Sequence, residues 1–117
     1  MMSQLTESLR RIETWLQQNR VTVFASLQLA LTEQEIDEKV KVLPFRPSKE
    51  FYEFYEWHNG MRGYDYEVQF FHYHRFLSLG EALDIYDAVT KATEDWNPFW
   101  FPLFSYDGEY WGCVSPS

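Results

Sequence analysis

The sequence is poor in cysteine, in glycine and in basic residues, and it contains no long hydrophobic run. Cys113 is the only cysteine, so no disulfide can form within the chain. No segment reaches the roughly 20 apolar residues that cross a bilayer, and residues 1–7 lack the apolar stretch of a signal peptide. We therefore predict a cytoplasmic protein that does not enter a membrane.

The charge balance of the chain indicates which classes of partner it could bind. Ten basic side chains stand against eighteen acidic ones, which gives a formal net charge of −8. Nucleic acids are bound through Lys and Arg, and anionic membranes attract the same residues, so neither is an expected partner. A basic protein would be attracted, although a charge of this size also serves solubility alone. The five glycines are dispersed and match no phosphate-binding loop.

Aromatic side chains are abundant, at 20% of the 117 residues. A chain of this length fits one domain, and we predict a single domain over residues 1–117. Each aromatic ring buries about 150–250 Å², so core filling is the simplest reason for the excess. The alternative is that surplus Tyr and Trp form a contact surface for another protein.

Helical periodicity dominates the first half of the chain. Residues 4–18 carry an apolar stripe of Leu5, Leu9, Ile12 and Leu16, with Trp15 beside it, which predicts a helix. The apolar stretch 21–25 fits either a helix or a strand.

Two further helices have recognisable ends. Thr32 and Glu35 have the spacing of a capping box, and Ile36, Val40 and Leu43 supply the apolar face of the helix that follows. Ser48 opens a helix over 49–58. The pair at 59–60, Asn-Gly, tolerates the left-handed conformation that ends a helix.

In the second half of the chain, the spacing of apolar residues indicates strands as well as a helix. Residues 67–76 alternate as a strand does, and Ser78 with Glu81 forms a second capping box ahead of a helix whose apolar side is Leu83, Tyr86 and Val89. The Asp-Gly pair at 107–108 separates two aromatic runs, which is a strong hairpin signal. Helices followed by a strand, a helix and a hairpin predict an α+β domain with an antiparallel component.

The order of these signals resembles the SUKH superfamily, named after the Smi/Knr-type fungal cell-wall regulators. The resemblance covers residues 5–114 and is carried by several short segments. They are the helix start TEQEI at 32–36, Leu-Pro at 43–44, FYEWHNG at 54–60, FLSLGEA at 76–82, and the block that runs from Trp96 through FPLF at 101–104 to the Asp-Gly pair.

The resemblance implies an α+β fold in which a central, mainly antiparallel sheet is flanked by helices. It also implies a non-enzymatic role. Bacterial members resemble immunity proteins that bind and neutralise toxin domains, and fungal members resemble intracellular scaffolds or regulatory adaptors. Family members usually continue past the hairpin with a further strand and helix, so we expect a short or missing C-terminal element here. Its absence would leave an open sheet edge.

An enzymatic alternative rests on histidines. His72 and His74 share one face of the expected strand and could bind a metal, with His58 as a third imidazole. Phe70 and Phe76 lie on that same face, which favours aromatic packing instead. Cys113 fits a small buried hydrophobe better than a nucleophile. We therefore predict no catalytic residue, no metal and no cofactor.

The remaining function is protein binding. Aromatic anchors with a charged rim are typical of protein interfaces. A toxin-neutralising immunity protein is the leading hypothesis, with a basic toxin domain as partner, and a scaffold is the alternative. The candidate partner-binding residues are Tyr64, Tyr66, Trp100, Tyr110, Trp111, Glu33, Glu35, Asp37 and Glu38.

Overall fold

A computed structural model describes residues 3–62, 75–106 and 109–111, of which Tyr106 and 109–111 are described by their backbone. The helices are α1 (Gln4–Asn19), α2 (Val21–Ser26), α3 (Glu33–Val40), α4 (Lys49–Trp57) and α5 (Leu79–Ala92). The strands are β1 (Arg75–Phe76), β2 (Phe104–Tyr106) and β3 (Glu109–Trp111). No helix within these residues is long and apolar enough to span a membrane.

The helix starts follow from side-chain capping. Thr32 and Ser78 each accept a hydrogen bond from a first-turn amide, and Glu35 and Glu81 accept one from the cap's own backbone. Both predicted capping boxes are therefore confirmed. Ser48 caps α4 in the simpler way, by accepting from the amide of Phe51. These caps satisfy backbone donors that the first turn of a helix leaves without a partner.

The first helix is confirmed, but its predicted apolar stripe is only partly buried. Leu9 and Leu16 face the interior, whereas Ile12 is 38% exposed and Trp15 is 54% exposed. The stripe is wider than the surface that α1 packs against, so the side chains at its margin stay in solvent. The ambiguous stretch 21–25 is helical, as α2, and packs against α1.

The later helix also packs on a slightly different face from the predicted one. Leu79, Ala82 and Tyr86 are its buried side chains, while Leu83 and Val89 are only partly buried. The buried stripe therefore begins at the first residue of α5, one turn earlier than predicted.

Gly60 fixes how the chain leaves α4. Its φ of +69° is the left-handed conformation that glycine adopts most easily, as the Asn-Gly signal predicts. The backbone then runs antiparallel to the segment after α2, with a bridge between Leu27 and Met61 and a 3.0 Å bond from the Gln28 amide to the Gly60 carbonyl. The Met61 amide in turn donates to the carbonyl of Phe76, which connects this crossing to β1.

The strands form a small antiparallel sheet in the order β1-β2-β3. Arg75 pairs with Ser105 across the first ladder, and Tyr106 pairs with Glu109 across the second. This register places the two strands of the predicted hairpin on either side of Asp-Gly 107–108, which lies outside the described residues. The part 67–74 of the predicted strand 67–76 also lies outside them.

The core is aromatic. Phe51, Tyr55, Phe76 and Phe101 are completely buried, and the rings of Phe51 and Phe101 meet edge to face with centroids 4.9 Å apart. This confirms core filling as one use of the aromatic excess. The described fold is therefore mixed helix and small antiparallel sheet, α+β in class, with helices as its larger part.

Candidate partner-binding surface

An acidic groove runs between α3, α4 and the start of α1. It has a volume of about 720 Å³. The capped start of α3 directs Glu33 and Asp37 towards α4, and the exposed side of α4 supplies Tyr52, Glu53 and Glu56. The remaining lining residues are Ser3, Thr6, Arg46, Pro47 and Lys49.

The carboxylates of this groove repel one another. Partial burial raises the pKa of Glu56 above its usual value, and the negative charges of Glu33 and Glu53 raise it further. Among the described residues, none of these three glutamates forms an ion pair. A positive group placed in the groove would relieve this repulsion, because opposite charges favour the ionised form of a carboxyl group.

Tyr52 is held at the mouth of the groove by a carboxylate. Its hydroxyl donates a hydrogen bond to Oδ1 of Asp37, which joins α4 to α3. Burial, followed by this bond and the charge of Asp37, raises the pKa of Tyr52 to about 12, although Arg46 opposes the shift. Tyr52 therefore stays protonated and serves as a fixed donor near neutral pH.

We define an aromatic patch as Phe45, from the segment between α3 and α4, together with Trp96, Phe99 and Trp100, from the stretch between α5 and β2. The rings of Trp96 and Trp100 meet edge to face at 5.8 Å, and Trp96 Nε1 donates to the carbonyl of Trp100 at 3.3 Å. Asn97 shapes the turn by accepting the amide of Phe99 at its side chain and the amide of Trp100 at its backbone carbonyl. Phe99 is 47% exposed and Trp100 is 41% exposed, so both rings are presented to solvent.

Phe45 connects the patch to the acidic groove. Its ring meets Phe99 edge to face at 6.1 Å. A shallower depression then continues from Phe45 along Arg46 to Asp37 and Tyr52, which are lining residues of the groove itself. The aromatic patch and the acidic groove are therefore two ends of one surface.

The predicted acidic residues separate into different roles. Glu33 and Asp37 line the groove. Glu35 is occupied by the Thr32 capping box, where its Oε1 accepts the Thr32 amide at 3.0 Å. Glu38 forms an exposed ion pair with Lys41 at 2.9 Å.

The structure describes only some of the predicted aromatic anchors. Trp100 belongs to the aromatic run that predicts the first strand of the hairpin, but that strand position is wrong. Trp100 is exposed in the turn ahead of β2, which the hydrogen bonds of Asn97 shape. Tyr110 and Trp111 belong to β3, of which the structure describes the backbone alone. Tyr64 and Tyr66 also lie outside the described residues.

Sequence reasoning missed several members of the surface. Phe45, Phe99 and Tyr52 have no local signal that marks them as surface residues. Glu53 and Glu56 belong to a visible acidic run, and their i, i+3 spacing places them on one side of α4. That spacing marks one acidic side of α4, but only the packing of α3 on α4 brings Glu33 to it.

The histidines give no support for a metal centre within the described part of the chain. His58 packs between α1 and the segment after α2, where its ring nitrogens contact Glu13 and Gln28. No group of three metal-binding side chains occurs among the described residues. His72, His74 and Cys113 lie outside them, so the enzymatic alternative stays a prediction.

In comparisons with known proteins, no family model matched the chain and no curated protein was found to be similar to it.

Proposed function

We propose that the chain is a non-enzymatic, cytoplasmic protein-binding domain that acts as an immunity protein by occluding a basic toxin domain. We also propose that the fold is SUKH-like, with a sheet flanked by helices. The sequence resemblance supports the toxin-neutralising role. The binding role is supported by one observation, the surface on which the aromatic patch and the acidic groove meet at Phe45.

The two ends of this surface suit different parts of an interface. Half-exposed Trp and Phe rings give large apolar contact area at low cost in side-chain entropy, which is typical of interface centres. The groove beside them carries three carboxylates without an ion pair in the described residues. Such a charged margin would speed association with a basic partner and reject an acidic one.

The same arrangement argues for a protein partner over a small molecule. The groove is broad and polar, whereas small-molecule pockets are mostly apolar and enclose the ligand. The aromatic rings are spread along a turn and are not gathered at the bottom of a cavity. Both features suit a partner with an extended contact surface.

Affinity purification from the source cells tests the proposal. We expect the tagged chain to recover one basic protein in stoichiometric amount, and co-expression of the chain to suppress that protein's toxicity. The variant Trp100→Ala should lose both effects. Trp15→Ala is the matched control, because Trp15 is also exposed but lies on α1.

Three outcomes would contradict the proposal. The first is that no partner is enriched at low or moderate salt. The second is that both tryptophan variants recover the partner as well as the unaltered chain does. The third is that several partners without toxicity are recovered, which would favour the scaffold alternative.

A further inference from the structure

Trp96 and Trp100 form a corner of two indole rings within the aromatic patch. Their ring planes are nearly perpendicular, at 86°, and their centroids are 5.8 Å apart. Trp100 is 41% exposed and Trp96 is partly exposed, so solvent reaches the surface of both rings. One group placed against this corner can therefore contact both rings at the same time.

Hydrogen bonds hold the corner in place. Nε1 of Trp96 donates to the backbone carbonyl of Trp100 at 3.3 Å, which orients the first indole against the second residue. The hydroxyl of Tyr86 donates to the carbonyl of Pro98 and thereby joins the turn to α5. The chain enters the core directly after Trp100, because Phe101 is completely buried. The two rings are therefore arranged before a ligand arrives, which lowers the entropic cost of binding.

The faces of these rings attract a cation. An aromatic ring carries negative partial charge on its faces, and a cation within about 6 Å of the ring centroid is bound by it, most strongly by tryptophan. Because the centroids are 5.8 Å apart, one cation in the corner can satisfy this distance to both rings. Asp95, which directly precedes Trp96, is exposed and forms no ion pair among the described residues. Its carboxylate adds a negative charge to the segment that carries the corner.

We propose that the Trp96–Trp100 corner binds the guanidinium group of an arginine side chain on the partner protein. The proposal rests on the proposed function and names a contact that this partner makes outside the acidic groove. A guanidinium is planar and weakly hydrated, so it stacks on aromatic faces more readily than the ammonium group of lysine does. Trp and Arg are also among the residues enriched at the energetic centres of protein interfaces.

The position of the corner suits an arginine on the same partner that the groove attracts. Phe99 lies between the two tryptophans in sequence, and its contact with Phe45 connects the corner to the acidic groove. A basic partner lying along this surface would bring positive side chains to both ends of it. The corner therefore adds a preference for arginine to a surface whose charge alone would accept any basic protein.

Proton–nitrogen NMR of the full chain tests the corner without the partner. The probes are arginine, lysine and citrulline with blocked termini, at about 150 mM salt, where long-range attraction is screened. Citrulline is the matched neutral probe, because it has nearly the shape of arginine but no charge. The indole Nε1–H signals report each ring separately and are assigned through Trp96→Phe, Trp100→Phe and Trp15→Phe.

Arginine should shift the signals of Trp96 and Trp100 about two- to fivefold more than citrulline does at equal concentration, as an exposed cation–π contact predicts. Lysine should give a smaller shift than arginine. Trp15 is the internal control, because it is 54% exposed on α1 and has no second indole beside it among the described residues. Its signal should show little preference for arginine.

The variant Trp100→Leu removes one ring but keeps an apolar side chain in the turn. Trp96 keeps its hydrogen-bond acceptor, because that acceptor is a backbone carbonyl. We expect the arginine response of the Trp96 signal to fall about two- to fivefold in Trp100→Leu and to fall less in Trp100→Phe, which retains an aromatic face.

Three results would overturn the arginine site. They are equal shifts with arginine and citrulline, a stronger response to lysine than to arginine, and the same preference for arginine at Trp15 as at the corner. Each of these differs from failure of the proposed function, which is the failure to recover a basic partner from the source cells.

Discussion

Alanine in place of Gly60 should severely destabilise the fold. A Cβ built on Gly60 would lie 2.5 Å from the carbonyl carbon of Leu77 and closer still to the amide nitrogen and Cα of Ser78. All three atoms belong to the backbone, so no flexible side chain can move aside. The chain leaving α4 and the chain entering α5 are therefore in direct contact at this glycine.

Two costs add at this position. A left-handed φ of +69° costs a residue with a Cβ about 1–2 kcal/mol. Forcing an additional carbon into a packed site costs a further 1–3 kcal/mol or so. We therefore expect Gly60→Ala to lower the free energy of unfolding by about 3 kcal/mol or more, a large share of the roughly 5–15 kcal/mol typical of a domain.

Urea unfolding followed by tryptophan fluorescence measures this loss. Gly80→Ala is the matched control, because a Cβ there meets nothing within 4 Å and Gly80 lies in α5. It should be neutral or stabilise the helix by up to about 1 kcal/mol. A Gly60→Ala variant within about 1 kcal/mol of the unaltered chain would refute the reasoning, as would an equal loss in both variants.

Two further substitutions test buried polar contacts. Glu81→Gln should lower the free energy of unfolding by about 2 kcal/mol at pH 7. The reason is that Arg75 is 6% exposed and donates two hydrogen bonds to Glu81, at 2.8 and 3.1 Å. Breaking a fully buried ion pair would cost more, but the Glu81 side chain is 43% exposed and therefore partly screened by solvent. Burial alone would raise the pKa of Glu81, but Arg75 holds it below its usual value. Its stabilisation is thus present at neutral pH and lost on acidification, so the difference from the unaltered chain should shrink by pH 3, and a constant difference would contradict this. Tyr55→Phe should cost about 1–2 kcal/mol in urea unfolding, because the buried Tyr55 hydroxyl donates to the Leu77 carbonyl at 3.1 Å; an unchanged midpoint would show that this bond contributes nothing.

Local signals in the sequence were sufficient for the helix starts and the hairpin. Thr32 and Ser78 satisfy backbone donors within one turn of themselves, so their capping boxes need no tertiary contact. The left-handed Gly60 is similar, since an Asn-Gly pair at the end of a helix is itself a local signal for that conformation. The hairpin register follows from a short connection between two strands.

Features that depend on distant parts of the chain could not be predicted in this way. The exposure of Trp15 depends on how much of α1 finds a packing partner. The bridge between Leu27 and Met61 joins segments that have no recognisable strand pattern.

The candidate site was predicted only in part for the same reason. Glu33 and Asp37 were identified by charge, but their meeting with Glu53 depends on the packing of α3 on α4. Phe45 was unremarkable in sequence because its role arises from contact with Phe99, far along the chain.

We propose that the joined aromatic and acidic surface binds a basic protein. Calorimetric titration of the recovered partner at about 150 mM salt, where long-range effects of exposed charges are screened, tests it most directly. Two triple variants have the same net charge, −8 + 3 = −5. The groove variant is Glu33→Gln, Glu53→Gln, Glu56→Gln, and the control is Glu7→Gln, Asp84→Asn, Glu94→Gln.

The control replaces three exposed acidic residues outside the groove. A difference in affinity between the two variants would therefore come from the position of the charges and not from the net charge. We predict that the groove variant binds the partner at least tenfold more weakly than the unaltered chain, because contacts made by charges at an interface exceed the effect of net charge. The control should stay within about twofold, since long-range attraction alone is weak at this salt concentration. Equal affinities for the two variants would contradict the account.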